Sequence, residues 1–259
     1  MNLQQAADQL GVHYQTAYRW VRTGELRAHK AGRSYDVDVD DVARFAVTRS
    51  TPVAPPSTVR VRSWAALSDR LLNALLAGDE LAARHLTDRL YQGGITGSQI
   101  CDRLIGPTLA EVGVRWHRGQ TTVAVEHRAT EICQRLLSTM YTHHRGRPRG
   151  TALVICAPGD THTIPATMAA IALREDHWRV HHLGANVPVD AVVELARNEN
   201  ANLVVVSATY FDRKKVRAFC KSLEDHDLNV LVGGVSGSTL QDLVTLARSI
   251  ANTSDRSTN

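Results

Sequence analysis

Four short β-rich runs, each followed by a helix-length amphipathic stretch, fill the C-terminal part of this 259-residue chain. The runs are TALVICA, RVHHLG, NLVVVSAT and NVLVGG. Alternation of strands and helices predicts a parallel sheet, because each pair of parallel strands needs a crossover connection. Continuous apolar runs such as LVVVS indicate strands that are covered on both faces. We therefore expect residues 151–259 to form a doubly wound α/β domain.

Two stretches break this patterning upstream of the α/β segment. The first, TPVAPPSTVR, is rich in proline and small polar residues, and the second, HHRGRPRG, is basic and contains glycine and proline. Both compositions are typical of linkers. We therefore expect five segments, with boundaries at residues 1–50, 51–60, 61–142, 143–150 and 151–259.

Residues 61–142 carry apolar side chains at helical spacing along most of their length. The pattern predicts four helices, of which the third runs from about Ser98 to Trp116 despite Pro107. A four-helix bundle is the most economical way to bury their apolar faces. The predicted fold is thus multidomain, with α and α/β parts.

Composition places the chain among ordinary globular proteins, with 43% hydrophobic and 22% charged residues. No apolar run is long enough for a membrane helix, and the first residues lack a signal-peptide pattern, so we expect a cytoplasmic protein without a membrane partner. A formal net charge of +4 does not by itself indicate a nucleic-acid partner. The location of the positive residues along the chain is the better indicator. The cysteines lack metal-type spacing, which predicts buried free thiols at Cys101, Cys133, Cys156 and Cys220.

Helix-turn-helix spacing followed by a hairpin characterises the N-terminal segment. One apolar face runs from Leu3 to Leu10, Gly11 supplies a tight turn, and Ala17 and Trp20 lie on the buried face of a second helix. The run ELRAHKAGRSYDVD then predicts a hairpin with a glycine-containing tip, which is the wing of a winged helix-turn-helix.

Polar and basic side chains fall on the exposed face of the second helix and on the wing, where such groups bond base edges or phosphates. The alternative is a small protein-interaction module with a solvated charged face. Through LQQAADQLGVHYQTAYRWVRTGEL and the wing, residues 2–46 resemble the MerR-like and excisionase-like regulators, which implies double-stranded DNA as a partner. The candidate DNA-contacting residues are Gln15, Thr16, Tyr18, Arg19, Arg22, Lys30 and Arg33.

Small, polar or hydroxyl-bearing residues follow every predicted strand of the α/β segment, where open sheets of this class bind ligands. An aspartate two residues before a histidine can fix the imidazole tautomer and strengthen the ring as a metal ligand. Simpler alternatives are an exposed loop histidine, a helix-packing turn for the glycine pair and a helix N-cap for the hydroxyl residues. The candidate residues are Asp160, His162, Gly184, Ser207, Thr209, Gly233 and Gly234.

Together these residues resemble the cobalamin-binding domain of methionine synthase and its relatives. In that family an Asp-x-His-x-x-Gly loop supplies the lower axial histidine to cobalt, and a Ser-x-Leu/Thr segment and a Gly-Gly pair line the nucleotide tail. The resemblance implies that His162 ligates cobalt beside Asp160. Pro165 stands where the family has glycine, and the chain after Gly234 is too short for a clear fifth strand. These departures bear on affinity for the tail more than on cobalt ligation.

The run RWHRGQTTVAVEH places Trp116, Glu126 and His127 across a break between two helices. The ordinary explanations are that Trp116 is a core residue and that Glu126 stabilises the positive end of the helix macrodipole. The spacing resembles the cap bundle of light-responsive cobalamin repressors of the CarH type, in which these residues meet the upper face of the corrin and its adenosyl group. His117 matches the residue that captures cobalt there once the upper ligand has left, with an exposed helix-end histidine as the alternative.

The order of these segments resembles the CarH-type regulators over nearly the whole chain. The resemblance implies a cobalamin-dependent transcriptional regulator that is not an enzyme, a photoreceptor using adenosylcobalamin, and a homo-oligomer that is a tetramer in the dark. The alternative of a corrinoid methyl-carrier protein accounts for the last two domains but does not account for a DNA-binding domain at the N-terminus. A third alternative is a regulator of this fold that works without cobalamin or with haem.

Overall fold

The chain forms two compact units, Met1–Thr58 and Val59–Asn259. A computed structural model describes residues 1–10, 14–22, 24, 26–31, 34–50, 61, 63–140, 147–209, 212–234 and 239–256. The predicted turn at Gly11 and the linker at 51–60 lie outside these residues, as does much of the linker at 143–150.

The first unit contains two short helices, a hairpin and a third helix around a small apolar core. Asn2 caps the first helix, because its side-chain oxygen accepts a hydrogen bond from the Gln5 backbone N–H at 2.8 Å. Ala17 and Trp20 are buried as predicted, and the Trp20 ring packs on Phe45. The elements are α1 (Leu3–Gln9), α2 (Tyr14–Arg22), β1 (His29–Ala31), β2 (Ser34–Asp36) and α3 (Val39–Ser50). Helices and antiparallel hairpin together confirm the winged helix-turn-helix fold.

Four bundle helices open the second unit, as the apolar spacing predicts. The third is continuous from Gly97 to His117 but contains one π-helical turn, Cys101–Ile105, immediately before Pro107. Proline lacks a backbone N–H and crowds the preceding turn, and the wider π turn accommodates it without ending the helix. The elements are α4 (Trp64–Ala77), α5 (Glu80–Gln92), α6 (Gly97–Ile100), α7 (Gly106–His117) and α8 (Val123–Ser138).

A parallel sheet of order β4-β3-β5-β6 forms the rest of the second unit. Helices α9 and α12 cover one face and α10 and α11 the other, so the sheet is doubly wound. The order reverses between β3 and β5, which creates a crevice beyond the carboxyl ends of those two strands. The elements are β3 (Thr151–Cys156), α9 (Thr163–Glu175), β4 (Arg179–Gly184), α10 (Val189–Asn198), β5 (Leu203–Ser207), α11 (Arg213–Glu224), β6 (Asn229–Gly233) and α12 (Leu240–Arg256).

Two carboxylates join the bundle to the α/β part in opposite directions. Glu175, at the end of α9, accepts hydrogen bonds from the first backbone N–H groups of α6, including Ser98 at 3.0 Å. Asp102, in the π turn, accepts from the Leu240 N–H at the start of α12 at 3.1 Å. Burial raises the pKa of the Asp102 carboxyl, although the bond from Leu240 opposes this shift. Each part thus satisfies orphan donors at a helix start of the other.

No helix in the described part of the chain is both long and apolar enough to cross a lipid bilayer. Each of the four cysteines is buried with a free thiol, as the sequence predicts.

Candidate functional site

His162 lies at the mouth of the crevice, at the end of the loop that follows β3. The loop turns back at Asp160, whose backbone N–H donates to the Ala157 carbonyl at 2.9 Å, and Gly159 supplies the positive φ of 81°. Helix α9 begins directly after His162, so the imidazole is held where a strand ends and a helix starts. Its side chain is 52% exposed, which leaves the ring accessible from the crevice.

A single buried carboxylate, that of Asp160, organises this loop. One oxygen lies 2.7 Å from the His162 ring Nδ1 and accepts from the His162 backbone N–H at 2.9 Å. The other oxygen accepts from the Thr209 backbone N–H, in the loop after β5, at 2.6 Å. Because Nδ1 is bonded to the carboxylate, Nε2 is the nitrogen that the ring offers to a metal. The pair predicted from the sequence is therefore brought together, with Thr209 as an anchor.

The sequence pattern did not single out Cys156 as part of this loop. Its thiol, at the end of β3, donates to the His162 carbonyl over 3.7 Å. Burial and the nearby Asp160 raise the pKa of the Cys156 thiol to about 11, so it stays protonated and able to donate at neutral pH. Its position six residues before His162, on the last residue of the strand, is the only signal that the sequence offers.

Ser207 ends β5 with a hydroxyl that is buried and has no hydrogen-bond partner among the described residues. Such an orphan costs about 1–3 kcal/mol unless a ligand satisfies it. At Gly184 and Gly233, an added Cβ would meet no described atom within 4 Å, so the space beside both backbones is open. Gly184 and Gly234 both have a positive φ, of 74° and 86°, but only at Gly234 would a Cβ lie 2.7 Å from the Ala208 carbonyl oxygen. Gly234 is thus required by the backbone itself.

Trp116 and His117 end α7 with both side chains exposed and their ring centroids 4.7 Å apart. Trp116 is not a core residue, since 41% of it is accessible. At the start of α8, Glu126 accepts a hydrogen bond from the Thr130 hydroxyl at 3.1 Å and lies 3.6 Å from the His127 ring. The four residues therefore occupy the two ends that flank one interhelical loop, as the spacing predicted.

These residues fit a corrinoid. One oriented imidazole provides only one ligand, so a metal held there must bring most of its ligands with it, as the cobalt of a corrin does. Ser207 offers a buried hydroxyl, and the open backbone at Gly184 and Gly233 allows close approach of a large ligand. Pro165 lies in the first turn of α9, where its missing N–H has no intrahelical role.

The candidate nucleic-acid interface of the first unit is described in part. Arg22 and Lys30 are exposed. Tyr18, predicted on the exposed face, is half-buried because its ring packs on Tyr14 and Tyr35 at centroid distances of 6.2 and 5.8 Å. The side chains of Gln15, Thr16 and Arg19, and the whole of Arg33, lie outside the described residues.

Comparison with protein families divides the chain in the same order as the folds above. Residues 150–251 match the B12 binding domain, residues 67–141 match a second B12 binding domain family, and residues 1–49 match a helix-turn-helix domain. The chain is therefore a helix-turn-helix protein with B12-binding domains.

The chain is similar to the HTH-type transcriptional repressors CarH and CarA of Myxococcus xanthus, which confirms the resemblance to CarH-type regulators. Identity with CarH is 31% over 54% of this chain and 48% of the relative. Identity with CarA is 30% over 68% of this chain and 58% of the relative. The chain thus spans about half the length of these curated relatives.

One solved structure has the same fold as the second unit. The Methanosarcina barkeri monomethylamine corrinoid protein aligns with a TM-score of 0.57, covering 73% of this chain and 100% of that chain. At 16% identity this likeness shows the fold alone.

Replacing Asp160 with asparagine is expected to weaken cobalamin binding by about 10–100-fold, because the carboxylate orients the His162 ring and fixes its tautomer. Titrating the apoprotein with cobalamin while following absorbance measures the change. Asp242→Asn, at an exposed cap of α12, is the matched control and should bind like the wild type. Equal affinity of Asp160→Asn and the control would contradict the role given to Asp160.

Proposed function

We propose that this protein is a cobalamin-dependent DNA-binding transcriptional regulator in which adenosylcobalamin controls assembly of the protomers. The observation that carries the proposal is the His162–Asp160 pair at the crevice of a B12-binding fold, in the same chain as a helix-turn-helix unit. The similarity to two repressors with this domain order supports the regulatory role.

Each part of the second unit has a task in this proposal. His162 would hold the corrinoid cobalt, Ser207 and the open backbone at Gly233 would receive the nucleotide tail, and Trp116 would pack against the adenosyl group. Adenosylcobalamin supplies a cobalt–carbon bond that light can break. His117, whose ring lies against that of Trp116, would be the side chain that responds to loss of the adenosyl group.

The cofactor site is linked to DNA binding through the number of helix-turn-helix units that bind one duplex together. Linked binding units gain avidity without any new contact, by about 10²–10⁴-fold over one unit. A homo-oligomer, a tetramer by resemblance to the CarH type, would hold several helix-turn-helix units on one duplex. Control of assembly by the cofactor is therefore control of DNA affinity, and no turnover is involved.

A corrinoid methyl carrier is the second candidate, favoured by the fold shared with the monomethylamine corrinoid protein. That likeness covers the second unit and leaves the helix-turn-helix match unexplained. A regulator of this fold without cobalamin, or with haem, is a third candidate, since Pro165 stands where the cobalamin-binding family has glycine.

An absorption spectrum of protein purified with added cobalamin separates these functions. A retained corrinoid spectrum, together with a cofactor-dependent shift of a duplex from the protein's own promoter region, supports the proposed regulator. A corrinoid spectrum without any DNA binding favours the carrier. The absence of any corrinoid spectrum contradicts both and leaves the cobalamin-free regulator.

Arg22→Ala tests directly whether the helix-turn-helix unit contacts DNA. If Arg22 contacts a phosphate, its loss should weaken binding to all duplexes alike and lower the slope of log affinity against log salt by about 0.9. The control is Arg44→Ala, because Arg44 carries the same charge but forms an ion pair with Asp41 at 2.7 Å. Salt dependence should be measured for both variants, and equal slopes would remove Arg22 from the interface.

A further inference from the structure

Helix α11, on the face of the sheet opposite α9, carries a concentration of positive charge that the proposed cofactor site does not use. Its apolar side packs on the sheet through Val216, Phe219 and Leu223. Its five cations are all exposed, and the helix contains one acid, Glu224. The cations are Arg213, Lys214, Lys215, Arg217 and Lys221.

The spacing of these cations destabilises the isolated helix. Arg217 has a like charge one turn away in each direction, Arg213 at i−4 and Lys221 at i+4. Such pairs each cost about 0.2–0.5 kcal/mol on a helix surface. None of the five forms an ion pair with an acid in the described part of the chain, so no ion pair among these residues offsets the repulsion.

The same spacing suits a row of phosphates. Arg213, Arg217 and Lys221 follow one another at about 6 Å, since each residue of a helix rises about 1.5 Å. They span about 12 Å, over which one strand of a duplex presents about three to four phosphates at its 3.4 Å axial spacing. A regular polyanion therefore complements the stripe better than an isolated anion does.

We propose that the exposed face of α11 is a second, sequence-independent DNA contact, which binds the phosphate backbone beside the site read by the helix-turn-helix unit. The proposal rests on the proposed function, because duplex DNA is the polyanion to which that unit brings the chain. It assigns sequence reading to the first unit and part of the electrostatic affinity to α11.

The test uses the full-length chain, a duplex of random sequence and a series of salt concentrations. The variant Arg213→Gln/Arg217→Gln/Lys221→Gln removes the three cations of the stripe on α11 and retains good helix formers while reducing like-charge repulsion. The control Arg70→Gln/Arg89→Gln/Arg197→Gln removes the same charge from exposed positions on α4, α5 and α10.

The α11 variant should lower the slope of log affinity against log salt by about 2 to 3, at about 0.9 for each phosphate contact, while the control leaves it near the wild-type value. Cobalamin affinity and oligomeric state should be the same in both. Equal slopes for the two variants overturn the α11 contact but leave the proposed regulator standing. A wild-type chain that binds no duplex overturns both proposals, and a loss of cobalamin affinity in the α11 variant would assign its charge to the cofactor instead.

Discussion

His162→Ala should prevent the protein from retaining cobalamin through gel filtration. The substitution removes the imidazole proposed to ligate the metal, and Asp160 then has no ring to orient. Because loss of a supporting carboxylate alone costs about 10–100-fold, loss of the ligand itself should cost more than about 100-fold. Absorbance titration of the apoprotein gives the affinity, and the spectrum of any bound corrinoid shows whether an imidazole remains on the cobalt.

The fold should survive this change. The His162 ring is half exposed and makes no side-chain cap to α9, so its removal leaves no cavity in the core. Thermal unfolding followed by circular dichroism checks this point. His85→Ala, at an exposed position of α5, is the matched control and should retain cobalamin. Unchanged affinity and an unchanged base-on spectrum in His162→Ala would remove the assignment.

Green light should convert the adenosylcobalamin complex from a larger to a smaller species on size-exclusion chromatography. Loss of the upper ligand would leave a void beside Trp116, which is exposed at the end of α7 with His117 against its ring. Rearrangement of these two side chains would then shift the bundle and separate the protomers. DNA affinity should fall by about 10²–10⁴-fold, although each reading unit is unchanged.

His117→Ala tests whether that response depends on the neighbouring imidazole. The variant should assemble in the dark like the wild type and respond differently to light, whereas His226→Ala, an exposed histidine after α11, should behave normally. A hydroxocobalamin complex, which lacks the adenosyl group, should not form the larger species. An oligomer indifferent to both cofactor and illumination would rule out photoreception while leaving a light-independent regulator possible.

Local periodicity was enough to predict the order of folds and the crevice. The β-rich runs became the four strands of the sheet, and the candidate residues after β3 and β5 meet through Asp160 and Thr209. These features can be predicted from the sequence because the burial of a strand and the position of the loop after it depend on residues that are close together in the chain. Pro107 was placed within the third bundle helix correctly, but the π turn that accommodates it has no sequence period of its own.

Contacts between distant residues could not be predicted in the same way. Tyr18 is half-buried because the hairpin brings Tyr35 to its ring, and helical spacing within α2 contains no information on the hairpin. Gly234 is needed because the Ala208 carbonyl of another loop lies in the space of a side chain. Both depend on tertiary packing, which overrides the pattern of a single element.

The carboxylates of Asp102 and Glu175 fix the bundle to the α/β part at two helix starts. Breaking either contact exposes orphan N–H groups at a helix start, at about 1–3 kcal/mol for each group left unsatisfied. A tilt of the bundle about these two points would keep both contacts. Trp116 lies about 20 Å along the helix from Asp102, at about 1.5 Å per residue. The helix is thus a lever arm, and a rotation of about 10° at its fixed end carries the indole about 3–4 Å at the other.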